Sequence, residues 1–113
     1  MRQADVVIVG GGQAGLALSH CLGRKGIAHA VLERGRIGER WRSQTLRSLR
    51  LLTPNWLNAL PGSPYRGADP DGFMTKGAFV QSLEAYAGRW QAPVECGVEV
   101  IACKRNGSGF ALR

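Results

Sequence analysis

Three glycines, Gly10, Gly12 and Gly15, stand between a run of β-branched residues and a stretch of helical spacing, and an acid, Glu33, follows eighteen residues after the last. Each glycine of such a G-x-G-x-x-G turn has its own duty. The first permits a tight turn, the second lets a pyrophosphate approach the backbone, and the third lets helix pack closely on strand. The chemistry is binding rather than bond-breaking. Free N–H groups and the positive end of the helix dipole face the phosphates, and a carboxylate at the end of the second strand accepts hydrogen bonds from two ribose hydroxyls. The competing reading is a glycine-rich turn in an unrelated α/β fold, with Glu33 an exposed surface acid. The charge of Glu33 repels a 2′-phosphate, which disfavours NADP at this site and leaves FAD or NAD.

These residues need a strand, a helix and a second strand to position them. Val6 to Val9 is an unbroken β-branched run ended by Gly10, the pattern of a strand buried on both faces of a parallel sheet. From Gln13 to Lys25, Ala14, Ala17, Leu18, Cys21 and Leu22 recur at helical spacing, and Gly26 stops the helix. His29 to Glu33 is a second short strand, parallel to the first because a helix intervenes. The stretch from Gly35 to Thr75 has no sustained period and contains Pro54, Pro61, Pro64 and Pro70; an irregular segment of this length suits the covering of a ligand. Lys76 to Trp90 reads as a helix with Phe79, Leu83, Tyr86 and Trp90 on its core face, closed by Pro93. Val98, Val100 and Ala102 alternate as in a strand, and Asn106-Gly107 with Gly109 and Phe110 reads as a turn into a further strand that Arg113 leaves incomplete.

Composition narrows the classes. The chain has 113 residues, 44% hydrophobic and 20% charged, and reads as one ordinary α/β domain, without repeats or low-complexity segments. Its net charge of +7 permits a nucleic-acid or membrane partner. Six arginines between Arg34 and Arg50 do not share a helix face, however, and no nucleic-acid fold signature accompanies them, so neither partner is expected. The apolar start, Ala4 to Val9, is too short to span a bilayer. Cys21, Cys96 and Cys103 have neither metal-site nor redox-dithiol spacing and read as packing residues in a reducing cytoplasm; His20 and His29 read as surface or turn histidines. No nucleophile, base and orienting group can be assembled from spacing, so no catalytic residue and no metal ligand is assigned.

Beyond the fingerprint, the strings GERW at Gly38–Trp41, SLRLLTPNW at Ser48–Trp56, LPG at Leu60–Gly62 and DPDGFMT at Asp69–Thr75 are more specific. With VIVGGGQAGLALSHCLGRKGIAHAVLER before them, the whole chain resembles the flavin-containing monooxygenase-like proteins. The resemblance implies an α/β, Rossmann-type FAD-binding domain with a parallel sheet, here without the NAD(P)H domain of the full-length enzymes. Its parts would be a dinucleotide motif at 1–35, a cofactor-covering segment at 36–75, and a helix with the start of a β-meander at 76–113. Family members take hydride from NAD(P)H onto FAD and then activate oxygen.

By resemblance, Gly10, Gly12, Gln13, Ala14 and Gly15 hold the pyrophosphate, and Glu33 with Arg34 the adenosine ribose. Arg40 and Trp41 lie along the cofactor, Leu52, Thr53 and Pro54 near the isoalloxazine, and Val100 meets adenine through its backbone. Read from the residues alone, Arg40 suits a pyrophosphate through its planar fork of donors or sits solvated on the surface, and Trp41 is a packing aromatic. Two departures stand out. Thr45, Leu46 and Arg47 replace the arginine, tryptophan and aspartate usual before SLRL, and Lys76-Gly77-Ala78 replaces a more acidic helix start, leaving a weaker cap.

Catalysis by the chain alone is not expected. The alternatives are an NAD-dependent dehydrogenase domain, or a non-catalytic nucleotide- or partner-binding piece completed by a second polypeptide.

Overall fold

The computed structural model describes residues 2–43 and 49–113; Thr45, Leu46 and Arg47, and the Ser48 that opens SLRLLTPNW, lie outside the described residues. Strand β1 (Val6–Val9), helix α1 (Gln13–Arg24) and strand β2 (His29–Glu33) follow one another as the sequence predicts. The two strands are parallel, with Val6 opposite His29 and Val9 opposite Leu32. A third parallel strand, β3 (Val94–Cys96), joins β2 on its far side, so the order is β1-β2-β3. The spacing does not reveal β3, because only three residues of it pair. Its position makes β2 the central strand, and Val31 is fully buried. β1 is an edge strand among the described residues and is not buried on both faces: Ile8 is buried, but Val9 is 62% exposed.

Helix α1 buries Leu16, Ser19 and His20 rather than the expected Ala14, Ala17, Leu18, Cys21 and Leu22 face. The third fingerprint glycine causes this rotation. A methyl group at Gly15 would collide with the Gly10 carbonyl and stand 3.3 Å from Ile8 Cγ2, so residue 15 must face the strand. His20 is therefore no surface histidine; its ring lies 4.4 Å from Trp90 and 5.8 Å from Tyr86, centroid to centroid. His29, half-buried, bonds Ser19 Oγ at 2.7 Å. All three cysteines are exposed free thiols, not packing residues, since the face that carries Cys21 points outward and Cys96 and Cys103 sit at strand ends.

The core lies beside α1. Helix α3 (Lys76–Arg89) contributes Phe79, Leu83, Tyr86 and Ala87, which pack with Leu16 and Leu51. Its start is better capped than the sequence suggests, because Thr75 Oγ1 accepts the Ala78 N–H at 3.2 Å, the bond an N-cap threonine makes. Its end is a Schellman turn: Ala92 N–H donates to Ala87 O at 2.9 Å and Gln91 N–H to Gly88 O at 3.3 Å. That turn holds Gln91 at φ 52°, a left-handed conformation that glycine adopts without strain.

The irregular stretch is not wholly so. Helix α2 (Glu39–Ser43) forms within it, because the Glu39 carboxylate reaches back to the Arg36 N–H at 3.1 Å, as in a capping box. Further on the chain folds back on itself, with Leu51 N–H donating to Met74 O and Asn55 N–H to Gly72 O. The LPG turn is clamped onto the helices: Tyr86 OH donates to Pro61 O at 2.6 Å, and a methyl at Gly62 would stand 2.5 Å from His20 Nε2.

Residues 98–102 form no strand of their own; they cross from β2, where Val98 N–H donates to Glu33 O at 3.0 Å, to the hairpin end, where Ala102 and Arg113 exchange main-chain bonds. Instead β4 (Cys103–Asn106) and β5 (Gly109–Leu112) pair along their whole length through a turn with Gly107 at φ 65°. The second strand is thus formed rather than incomplete, because a two-residue turn uses so little chain.

Two outcomes follow. Gln91→Gly should raise stability by about 0.5–1 kcal/mol by relieving the left-handed strain, read from the denaturation midpoint. The Glu39 carboxyl is held down to about 2, chiefly by its hydrogen bonds from the Arg36 guanidinium. An acid lowered in the folded state stabilises above its ordinary value near 4.5 and loses that contribution as pH falls through about 2. A ¹³C titration should therefore find Glu39 still ionised at pH 3, and Arg36→Gln should return its midpoint toward the ordinary range.

Candidate functional site

The glycine turn joins the end of β1 to the start of α1. Gly10, at φ 108°, adds one more bond to the parallel ladder by donating its N–H to Leu32 O at 2.8 Å. Gly12 is the N-cap residue of α1, with no side-chain cap and no acid in the first turn. The first main-chain bond of the helix is Leu16 N–H to Gly12 O, at 2.9 Å. The N–H groups of Gln13, Ala14 and Gly15 therefore have no acceptor inside the helix and lie at the positive end of its dipole. Space is left in front of them. A methyl group at Gly12 would meet no heavy atom within 4 Å, whereas one at Gly15 would collide with backbone. The two glycines thus do different work: one keeps a cradle open and the other closes a packing contact.

Glu33 ends β2 beside this turn. It is buried, with Oε1 accepting the Gly11 N–H at 2.8 Å and Oε2 the Gly35 N–H at 2.6 Å. An ionised carboxylate has about four acceptor positions, so two bonds leave room for two more donors, such as a vicinal diol. Gly10, Glu33, Arg34, Arg40 and Val100 border one cavity of about 300 Å³, which Leu32, Val98 and Glu99 help to close. Among the described residues, neither Arg34 nor Arg40 has an ionic partner, and both are exposed. The region therefore offers open N–H donors, two guanidinium groups and one buried carboxylate. That combination suits an anion attached to a sugar.

The other candidates stand elsewhere. Trp41 is half-buried and packs edge-on against Phe79, with ring centroids 5.2 Å apart. Leu52, 93% exposed, and Thr53 lie on the irregular segment, where Thr53 bonds Asn58. A second cavity, of about 250 Å³, opens between α1 and α3 at the His29 end of β2, opposite the Glu33 end.

Spacing missed Gly11, Gly35 and Gly38. Gly38 N–H donates to Gly11 O at 3.2 Å, and a methyl at Gly11 would press on Glu33 at 3.2 Å. The run of three consecutive glycines from Gly10 was the available signal for Gly11. No helix among the described residues is long and apolar enough to cross a membrane.

Comparison with known proteins agrees with this geometry. Residues 3–52 match the family model of an FAD binding domain. A CzcO-like oxidoreductase of Geobacillus kaustophilus is 37% identical over 96% of this chain, which spans 31% of that relative. Indole-3-pyruvate monooxygenase YUCCA4 of Oryza sativa subsp. japonica is 42% identical over 92% of the chain, which spans 24% of it. Among solved structures, a flavin-containing monooxygenase from Stenotrophomonas maltophilia superimposes with a TM-score of 0.85 at 25% identity, covering 99% of this chain and 34% of that one. The chain thus spans about a third of these relatives or less. In sequence and in fold together, it belongs to the flavin-containing monooxygenase-like oxidoreductases, as an FAD-binding domain of that family.

Proposed function

We propose that the chain holds FAD at the β1–α1 turn of a flavin-dependent monooxygenase that uses NAD(P)H. The observation that carries this reading is the buried Glu33 carboxylate at a cavity that Gly10, Arg34 and Arg40 also border, tied through the Gly11 N–H to the turn that opens α1 without a side-chain cap. The residues present fit the group. Gly12 leaves a cradle that a side chain would fill, and the unpartnered N–H groups behind it match a pyrophosphate.

In this reading Gly10, Gly12, Gln13, Ala14 and Gly15 hold the pyrophosphate. Glu33 accepts from the ribose hydroxyls, and Arg34 closes over the ribose. Arg40 reaches the phosphates from the rim of the cavity, where a planar guanidinium offers two parallel donors. Val100 meets the adenine through its main chain, while Trp41, Leu52 and Thr53 line the path toward the flavin ring. Bound there, FAD would supply the redox chemistry, namely hydride uptake and oxygen activation. The protein supplies position and electrostatics.

The parts divide accordingly: a dinucleotide motif at 1–35, a covering segment whose described part runs within 36–75, and a helix with a hairpin at 76–113. Further chain, or a second polypeptide, supplies the nicotinamide site, so the isolated chain binds FAD without turning over. The three exposed free thiols support a reducing, cytoplasmic setting.

Titrating the protein with FAD, with NAD and NADP as competitors, tests the reading through flavin fluorescence. Saturable binding should weaken ten- to hundredfold in Glu33→Ala, since losing bonds to a charged acceptor costs about 1.5–3 kcal/mol. Gly12→Ala should leave the unfolding midpoint unchanged yet lower FAD affinity at least about tenfold, because its methyl clashes only with ligand. Folded protein that ignores FAD, or prefers NAD, would sink the proposal.

A further inference from the structure

Glu33 has two bonds that ribose recognition does not require. One carboxylate oxygen accepts the Gly11 N–H at 2.8 Å and the other the Gly35 N–H at 2.6 Å, across 22 and 2 residues of chain. Three main-chain groups of the glycine turn are held by the segments around it. Gly10 N–H goes to Leu32 O, Gly11 N–H to Glu33, and Gly11 O accepts the Gly38 N–H. The Gly11 N–H is thereby engaged by a buried carboxylate, whereas the N–H groups that begin α1 have no acceptor within the helix. Gly11 also packs on the Glu33 stem, since a methyl there would sit 3.2 Å from Glu33 Cβ and 3.3 Å from Cγ. Charge-assisted bonds of this kind are about twice as strong as neutral ones.

We propose that Glu33 is a positioning residue for the phosphate loop: its carboxylate clasps the Gly11 and Gly35 amides and so presets the α1 turn for pyrophosphate. This rests on the reading of the turn as the pyrophosphate site. It gives Glu33 a second effect, independent of ribose and opposite in sign to its charge. As a bare negative charge near an anion site, Glu33 repels pyrophosphate, and neutralising it tightens binding. As a clasp, it holds the donors in place, and any change that opens the clasp weakens binding.

Inorganic pyrophosphate, which has no ribose, separates the two. Its affinity is measured from the Gln13 and Ala14 amide shifts in ¹⁵N spectra of wild type, Glu33→Gln and Glu33→Asp, with adenosine as the ribose-bearing control. Glu33→Gln loses the charge and one acceptor; Glu33→Asp keeps the charge but falls short of both amides. The clasp predicts that both variants bind pyrophosphate at least about fivefold more weakly. Pyrophosphate binding that is unchanged or tighter in Glu33→Gln and unchanged in Glu33→Asp, with adenosine weakened, confines Glu33 to the ribose and overturns the proposal. Amide exchange in the ligand-free protein gives an independent readout: Gly11 and Gly35 should be protected in wild type and lose that protection in either variant. Unprotected Gly11 and Gly35 amides in wild type overturn the clasp even if neither variant folds. Wild-type protein that shows this protection yet binds no FAD retains the clasp's geometry but refutes the site reading on which its function rests.

Discussion

Helix α1 can lie against β1 only because residue 15 has no side chain. The Gly10 carbonyl occupies the place a methyl group would take, so any other residue would lift the helix from the sheet. That contact sets both the height and the rotation of α1, and much follows from the rotation. It turns Leu16, Ser19 and His20 inward, where Leu16 enters the cluster built by α3 and His20 slips under the LPG turn. It also aims the first turn of the helix at the space above Gly12. The packing constraint and the binding geometry are one arrangement seen from two sides.

A buried carboxylate at the end of β2 would be costly if left unpaired. Glu33 is tolerated there because two peptide N–H groups supply it with donors. The same bonds tie the segment after β2 to the glycine turn, and Gly38 adds a third tie through the Gly11 carbonyl. Charge is divided in the same way: the buried acid and the exposed Arg34 and Arg40 border the same cavity.

The motif strings that mark the family do structural work wherever they can be followed. In GERW, Gly38 packs beneath Leu83, Glu39 caps α2 and Trp41 rests on Phe79. In LPG, the Pro61 carbonyl takes the Tyr86 hydroxyl and Gly62 clears His20. In the TPNW and DPDGFM stretches, Asn55 and Trp56 return main-chain bonds to Gly72 and Pro70. These ties pin the described turns of the segment to helices or to one another, which satisfies their main-chain groups without regular structure.

Strand, helix, strand and the glycine turn were legible in the residues because their causes are local. β-Branched runs, helical spacing and glycine where backbone must approach backbone all act within a few residues. Helix α3 and the turn at Gly107 were legible for the same reason, as was the placing of Gly10, Gly12 and Gly15 at the β1–α1 turn and of Glu33 at the end of β2. What depended on distant parts of the chain was not. The face of α1 that is buried, the exposure of Cys21 and of Val9, the third strand at Val94–Cys96 and the failure of residues 98–102 to form one all hinge on what lies opposite in space. Local sequence sets which conformations are cheap; only tertiary packing decides which surfaces are covered, and with them whether Arg40 borders the cavity and Trp41 packs against the core.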